Sequence, residues 1–300
     1  IAIGGGKDSC VSLNLYKKEN TGCFIINPKP TMLECAKLAG YSDKNIYKVK
    51  RILDKGIIEL NEEGYLNGHT PFSAMVAFVS YLTAYLNNKK FIILSNESSA
   101  NEANVVGTKI NHQYSKSFEF ENDFFNYANQ YLGEEIKYYS FLRPLTEYQI
   151  GMLFAKETKY HQVFKSCNLG SKNKEWNWCC NCPKCLFVYI ILSPFLTKEE
   201  RINIFTEELY NREDLLKTFL EILGYSETKP FECVGTSIEA RYAVSLVISK
   251  YQGKLPYLLD YYQKNYPLEL DGKKILEYNH ENNLDEYFDN LVKKELMKYV

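Results

Sequence analysis

Short apolar runs alternate with longer mixed segments over the first 160 residues of this chain. Ile1-Ala2-Ile3 has the texture of a strand end; it runs through Gly4-Gly5-Gly6 into a helical stretch from about Ser9 to Lys18. Cys23-Phe24-Ile25-Ile26-Asn27 reads as a buried strand closed by Pro28 and Pro30. Thr31–Ala39 reads as a helix stopped by Gly40, and Asn45–Arg51 as a third strand. A long apolar helix is predicted over Thr70–Asn87, and a fourth strand, Phe91–Leu94, opens into a polar loop from Ser95 to Ser99. A helix near Asn122–Tyr131, a fifth strand over Tyr138–Leu142 and a helix over Glu147–Thr158 complete this part. Strands alternating with helices predict an α/β fold, with a parallel sheet covered on both faces. Ligands in such sheets sit outside the carboxyl ends of the strands, so the loops after Ile3, Ile26 and Leu94 should face one another.

From about Ser166 the pattern changes. A cysteine-rich stretch runs to Cys185, and mostly helical sequence follows, with candidates at Glu199–Leu209, Arg212–Leu223, Glu239–Tyr251 and Asn283–Tyr299. This divides the 300 residues into an α/β region, 1–165, a cysteine knuckle, 166–190, and a helical region, 191–300. A hydrophobic fraction of 45% and a charged fraction of 24% are those of a globular protein. No run reaches the roughly 18–20 apolar residues of a membrane span. The net charge of −1 argues against a broad surface for nucleic acid, while a small anionic ligand needs only a local positive site. Ile1 opens on a strand already under way, so further residues are expected upstream.

Gly4-Gly5-Gly6-Lys7-Asp8-Ser9 joins a strand end to a helix start. Glycines let backbone approach a phosphate closely, and the unpaired amides of a helix N-terminus point at the anion. The spacing is neither the Gly-x-x-x-x-Gly-Lys-Ser P-loop nor Gly-x-Gly-x-x-Gly. Asp8 suits such a site with Mg²⁺ between carboxylate and phosphate; a plain glycine turn capped by Asp8 is the simpler alternative. The segment resembles the Ser-Gly-Gly-x-Asp-Ser signature of the PP-loop ATP pyrophosphatases, with Gly4 in place of the usual Ser. That resemblance implies a Rossmann-like parallel sheet and a loop holding the pyrophosphate part of ATP through Gly4, Gly5, Gly6, Lys7 and Ser9. It also implies Mg²⁺ on Asp8, adenosine near Asn27, and cleavage of ATP to AMP and pyrophosphate.

Nine cysteines here are no disulfide framework, and their pattern favours a reducing, cytoplasmic setting. Cys179-x2-Cys182-x2-Cys185, with Cys167 upstream, supplies four thiolates for a closed, structural zinc site; Cys180 is a spare that could replace Cys179. An iron–sulfur cluster and redox-active thiols are the alternatives. The knuckle is similar to that of the cyano-deazaguanine synthase of queuosine biosynthesis, another PP-loop enzyme.

Four further segments are dense in polar groups: 66–71, 95–97, 111–117 and 231–236. A solvated loop seldom needs His112, Tyr114 and Lys116 together. With the glycine loop and Trp178-Cys179-Cys180-Asn181-Cys182-Pro183-Lys184-Cys185, these segments resemble the MurL family, the UDP-N-acetylmuramoyl-L-alanyl-L-glutamate epimerases of peptidoglycan synthesis. The resemblance implies a small UDP-muramoyl-dipeptide substrate, an acyl-adenylate, and inversion of a glutamate α-carbon. Within it His69, His112, Lys116 and Cys233 are candidate catalytic groups, and Asn67, Asn96, Glu97 and Arg143 candidate substrate contacts. For Cys233 a small buried hydrophobe is the commoner role. Two other functions fit the same residues: a PP-loop synthase passing its adenylate to ammonia, and a non-catalytic ATP sensor whose helical tail meets a partner.

Overall fold

The computed structural model describes residues 1–16, 18–65, 71–102, 108, 111, 113–167, 169–170, 177–230, 232 and 234–299. Strand β1 (Cys23–Ile26) pairs in parallel with β2 (Ile46–Val49), and β3 (Phe91–Leu94) pairs in parallel with β4 (Lys137–Ser140). Residues 1–3 lie between the two pairs. Ala2 forms a parallel bridge with Phe24, the Ile3 amide donates to the Phe24 carbonyl at 3.0 Å, and the Ala2 amide donates to Ile93 on the other side, also at 3.0 Å. The spatial order is therefore β2, β1, residues 1–3, β3, β4. The chain leaves residues 1–3 toward one edge and β3 toward the other, and a crevice opens between such divergent exits.

The sheets are small, with four residues in each strand. Apolar runs buried on both faces suit parallel pairing, and helices flank them. These are α1 (Lys7–Leu15), α2 (Pro30–Leu38), α3 (Lys55–Glu62), α4 (Phe72–Leu86), α5 (Phe118–Tyr131) and α6 (Glu147–Ala155). Observed bounds sit within a few residues of the expected ones, apart from α3, which the sequence reading passed over. Its Gly56 weakens the helical pattern, and Asp54 caps it by accepting from the Gly56 amide.

Beyond residue 182 follow α7 (Pro183–Leu192), α8 (Lys198–Phe205), α9 (Leu216–Ile222), α10 (Ser237–Lys250), α11 (Tyr257–Asn265), α12 (Lys273–Leu276) and α13 (Glu286–Leu296). α7 is buried from Lys184 to Leu192, as befits a helix apolar all round. It packs on α6, α9 and α10. Capping boxes start α6 (Thr146 with Gln149), α8 (Thr197 with Glu200) and α10 (Thr236 with Glu239). The last helix returns to the first part of the chain, where Phe288 packs on Tyr16, Phe91, Tyr139 and Phe141. One apolar cluster thus extends from Ile1 to Leu296. No helix among the described residues is long and apolar enough to cross a membrane.

Candidate functional site

A cavity of about 560 Å³ lies at the carboxyl ends of residues 1–3, β1 and β3. Its wall includes Gly4, Gly6, Asp8 and Ser9 from the glycine loop, Asn27 after β1, and Ser95 and Asn96 after β3. The three loops expected to converge do so. The size falls within the range of small-molecule sites.

The glycine loop is shaped for close approach. Gly5 has φ +78°, a conformation that side-chain-bearing residues rarely adopt. A Cβ on Gly6 would stand 2.8 Å from Ser166 Oγ, so a larger residue there would have to turn that hydroxyl aside. The Lys165 amide donates to the Gly5 carbonyl at 2.8 Å, tying the same two segments. Gly4 has open space where a side chain would project. α1 begins at Lys7 with no side-chain cap.

Lys7 turns away from the cavity. Its ammonium is fully buried and ion-paired with both Asp8 and Glu147. Burial works against the charge of Lys7, but the two carboxylates outweigh it and raise its pKa. Burial likewise pushes against ionisation of Asp8, yet Lys7, Lys184 and Lys116 hold it below the usual carboxylate range. Glu147 behaves differently. Burial, opposed by Lys7 and assisted by Asp8 and Glu97, pushes it up to about 7. Glu239 lies beside it, accepting from the Glu147 amide at 3.2 Å, and burial with the charge of Glu147 lifts it to about 8. Neither glutamate stood out in the sequence; the capping box at Thr236-x-x-Glu239 marks a helix start but not what its carboxylate meets.

Arg143 occupies a different place from the one expected of a substrate contact. Its guanidinium is fully buried and donates to the carbonyls of Glu97 and Lys116, both at 2.6 Å, and to Glu121 and Ser140. It thereby pins two site loops from behind. Glu97 carries its carboxylate toward Ser99 rather than into the cavity wall. Asn96 lines the wall and donates to Ser140 Oγ at 3.1 Å. Asn27, at φ +46°, lines it too, while its amide side chain exchanges hydrogen bonds with the backbone of Arg51. Lys116 lines the cavity. Asn67, His69, His112 and Cys233 lie outside the described residues. The sequence reading missed Lys29, Lys165, Ser166 and Glu232, all on the cavity wall. The position of Lys165 and Ser166, directly before Cys167, and that of Glu232 within the polar segment 231–236 offered a signal.

The cysteine cluster adjoins this cavity, with Cys167 on the wall. The sulfurs of Cys167, Cys179, Cys182 and Cys185 all lie within 4.8 Å of one another. Separations of 3.4, 3.5 and 3.7 Å approach the edge of about 3.8 Å of a tetrahedron with metal–sulfur bonds of about 2.3 Å. Cys180, expected as a spare ligand, is turned out of the set: its buried thiol donates to the Phe205 carbonyl at 2.9 Å. The donor set therefore fits a metal held by four thiolates, as zinc can be.

Both domains of one family match this chain. The MurL N-terminal domain matches residues 1–141, and the MurL C-terminal domain residues 163–274. A protein of Xanthomonas oryzae pv. oryzae named UDP-N-acetyl-alpha-D-muramoyl-L-alanyl-L-glutamate epimerase is 35% identical over 262 residues, which is 85% of this chain and 57% of that protein. Proteins of the same name from Micromonospora sp. and Salinispora tropica are 35% and 36% identical, covering 84% and 82% of this chain and 57% and 54% of their own length. The chain spans a little over half the length of these relatives. No solved structure matches it.

Proposed function

This chain belongs to the MurL family, and from that premise we propose that it serves an ATP-dependent epimerase acting on the terminal L-glutamate of UDP-N-acetylmuramoyl-L-alanyl-L-glutamate, a peptidoglycan precursor. The observation that carries the reading is the cavity wall that combines the glycine loop with Asp8 and Lys116. In this reading residues 1–165 are a PP-loop ATP pyrophosphatase region of Rossmann-like type, working in the cytoplasm. ATP is a co-substrate, and the amides of the glycine loop with Ser9 hold its pyrophosphate part. Mg²⁺, held by Asp8, would offset phosphate charge there. The four thiolates would hold a structural zinc.

The chemistry explains why an epimerase needs ATP. A carboxylate makes its neighbouring Cα–H weakly acidic, because the conjugate base would be an enolate dianion. Attack of that carboxylate on the α-phosphorus forms an acyl-adenylate and releases pyrophosphate, so one negative charge no longer opposes deprotonation. A modest base then removes the α-proton. Hydrogen-bond donors stabilise the enolate oxygen. Return of a proton to the opposite face inverts the carbon, and hydrolysis of the adenylate gives AMP and the D-glutamyl product. Lys116 stands at the cavity for one of these roles; His69, His112 and Cys233 are the other candidates.

The test is incubation of the full-length protein with ATP, Mg²⁺ and the UDP-muramoyl-dipeptide in heavy water. The expected result is pyrophosphate release with deuterium at the glutamate α-carbon. Pyrophosphate release without α-exchange would sink the epimerase assignment and leave the ATP site standing, as for a ligase or synthase.

A further inference from the structure

The cysteine cluster has a face that a purely structural metal site does not require. Its sequence neighbours Lys165 and Ser166, just before Cys167, and Lys184, between Cys182 and Cys185, all line the cavity beside the glycine loop. Both lysines are largely buried, at 5% and 8% exposure. Ser166 Oγ is buried with no hydrogen-bond partner among the described residues, and buried hydroxyls are seldom left so. It sits where a Gly6 side chain would be, against the phosphate turn itself.

These groups are held in place from two sides. The Lys165 amide bonds to the Gly5 carbonyl, and the four clustered sulfurs bring residue 167 to the start of α7, where Lys184 lies. Trp178 lies 5.6 Å under the Lys165 ammonium, a cation–π contact that orients it. The arrangement joins two cations and a hydroxyl opposite the helix start that carries Asp8. That is the donor set for a diphosphate, whose several oxygens need more positive charge than backbone amides supply.

We propose that the cysteine knuckle carries a second diphosphate-binding arm, Lys165, Ser166 and Lys184, closing on the glycine loop. This rests on the nucleotide-site reading above and extends it, making the bound metal a positioner of ligand-binding cations as well as a brace. A diphosphate could come from the tail of ATP or from a UDP-linked substrate, and the measurement separates them.

Titration calorimetry on the metal-loaded full-length protein would use inorganic pyrophosphate, ATP with Mg²⁺, and UDP, each alone, with AMP as the ligand lacking a diphosphate. Lys165→Met and Lys184→Met are each expected to weaken pyrophosphate binding by about tenfold and Ser166→Ala by a few fold, with AMP binding unchanged. Matching losses for ATP assign the arm to the nucleotide tail; matching losses for UDP assign it to the substrate. Metal content and melting temperature, measured on each variant, distinguish lost charge from a collapsed knuckle. Should a lysine variant misfold, Lys165→Arg and Lys184→Arg, which keep the charge, are expected to retain pyrophosphate binding within a few fold. Wild-type binding undiminished in both methionine variants overturns this arm alone. Absence of pyrophosphate and ATP binding by the wild type overturns the arm and the nucleotide site together.

Discussion

At the scale of single residues the site is governed by buried charge. Lys7, Asp8 and Glu147 form a chain of opposite charges, and Glu239 stands at its end with no cation of its own within hydrogen-bond distance among the described residues. A carboxyl raised to about 8 binds a proton in the folded state that it releases in the unfolded state at neutral pH. Between about pH 5 and about pH 8 the native state therefore holds more protons at this group, and its contribution to stability falls as pH rises. His161 acts in the opposite sense, because burial lowers its pKa and its neutral form is the native one. The comparison that isolates Glu239 is thus with Glu239→Gln, which cannot ionise. Urea midpoints of the variant should gain on wild type as pH is raised over this interval. A difference independent of pH would show that Glu239 is already ionised at pH 5.

At the scale of elements the contacts are between backbones brought unusually close. α6 meets α7 at Gly151, where a Cβ would lie 2.6 Å from Ile191 Cγ2 and 3.2 Å from the Ile191 carbonyl oxygen. Gly151→Ala gains roughly 1 kcal/mol of helix propensity but overpacks a contact whose relief costs about 1–3 kcal/mol. A lower melting temperature is expected. A rise would mean that the helices separate freely and that α7 is not clamped as tightly as its burial implies. The knuckle is the other critical element. Metal analysis should return about one zinc per chain, and Cys182→Ser should lower that occupancy and the thermal stability together. Iron with visible colour would replace zinc by a cluster. Cys180→Ser should leave the metal content unchanged, since its thiol faces Phe205.

At the scale of the whole molecule, the helical tail is continuous with the sheet region. α13 contributes Phe288 to a nest of rings from Tyr16, Phe91, Tyr139 and Phe141, which are widely separated in sequence. Phe288→Ala removes a fully packed ring, and a loss of about 3–5 kcal/mol in unfolding free energy is expected in a single transition. Two transitions, with only the later one shifted, would mark the tail as an independently folding unit. The tail also reaches the site's rear wall, where Asn283 donates to Glu121, the carboxylate that holds Arg143.

What could be read without a structure was local. Apolar runs of four or five residues announced β1, β3 and β4, glycine spacing announced the tight loop ahead of α1, and C-x2-C-x2-C announced the cluster of four sulfurs, because each signal is complete within a few residues. Helices α3, α11 and α12 escaped because Gly56, the Tyr257–Asn265 aromatic stretch and a four-residue length give weak periodicity. Tertiary structure alone decided which charges meet. It set Lys7 against Glu147, 140 residues away, retired Arg143 to the loops' rear, and kept Cys180 out of the sulfur cluster. It also put Lys165 and Lys184 on the wall of the cavity that the glycine loop lines. The physical reason is that pairing of buried charge depends on distance and desolvation in three dimensions, and neither has a signature in residue order. The glycine loop and the knuckle were thus each legible alone, and their adjacency at one cavity was not.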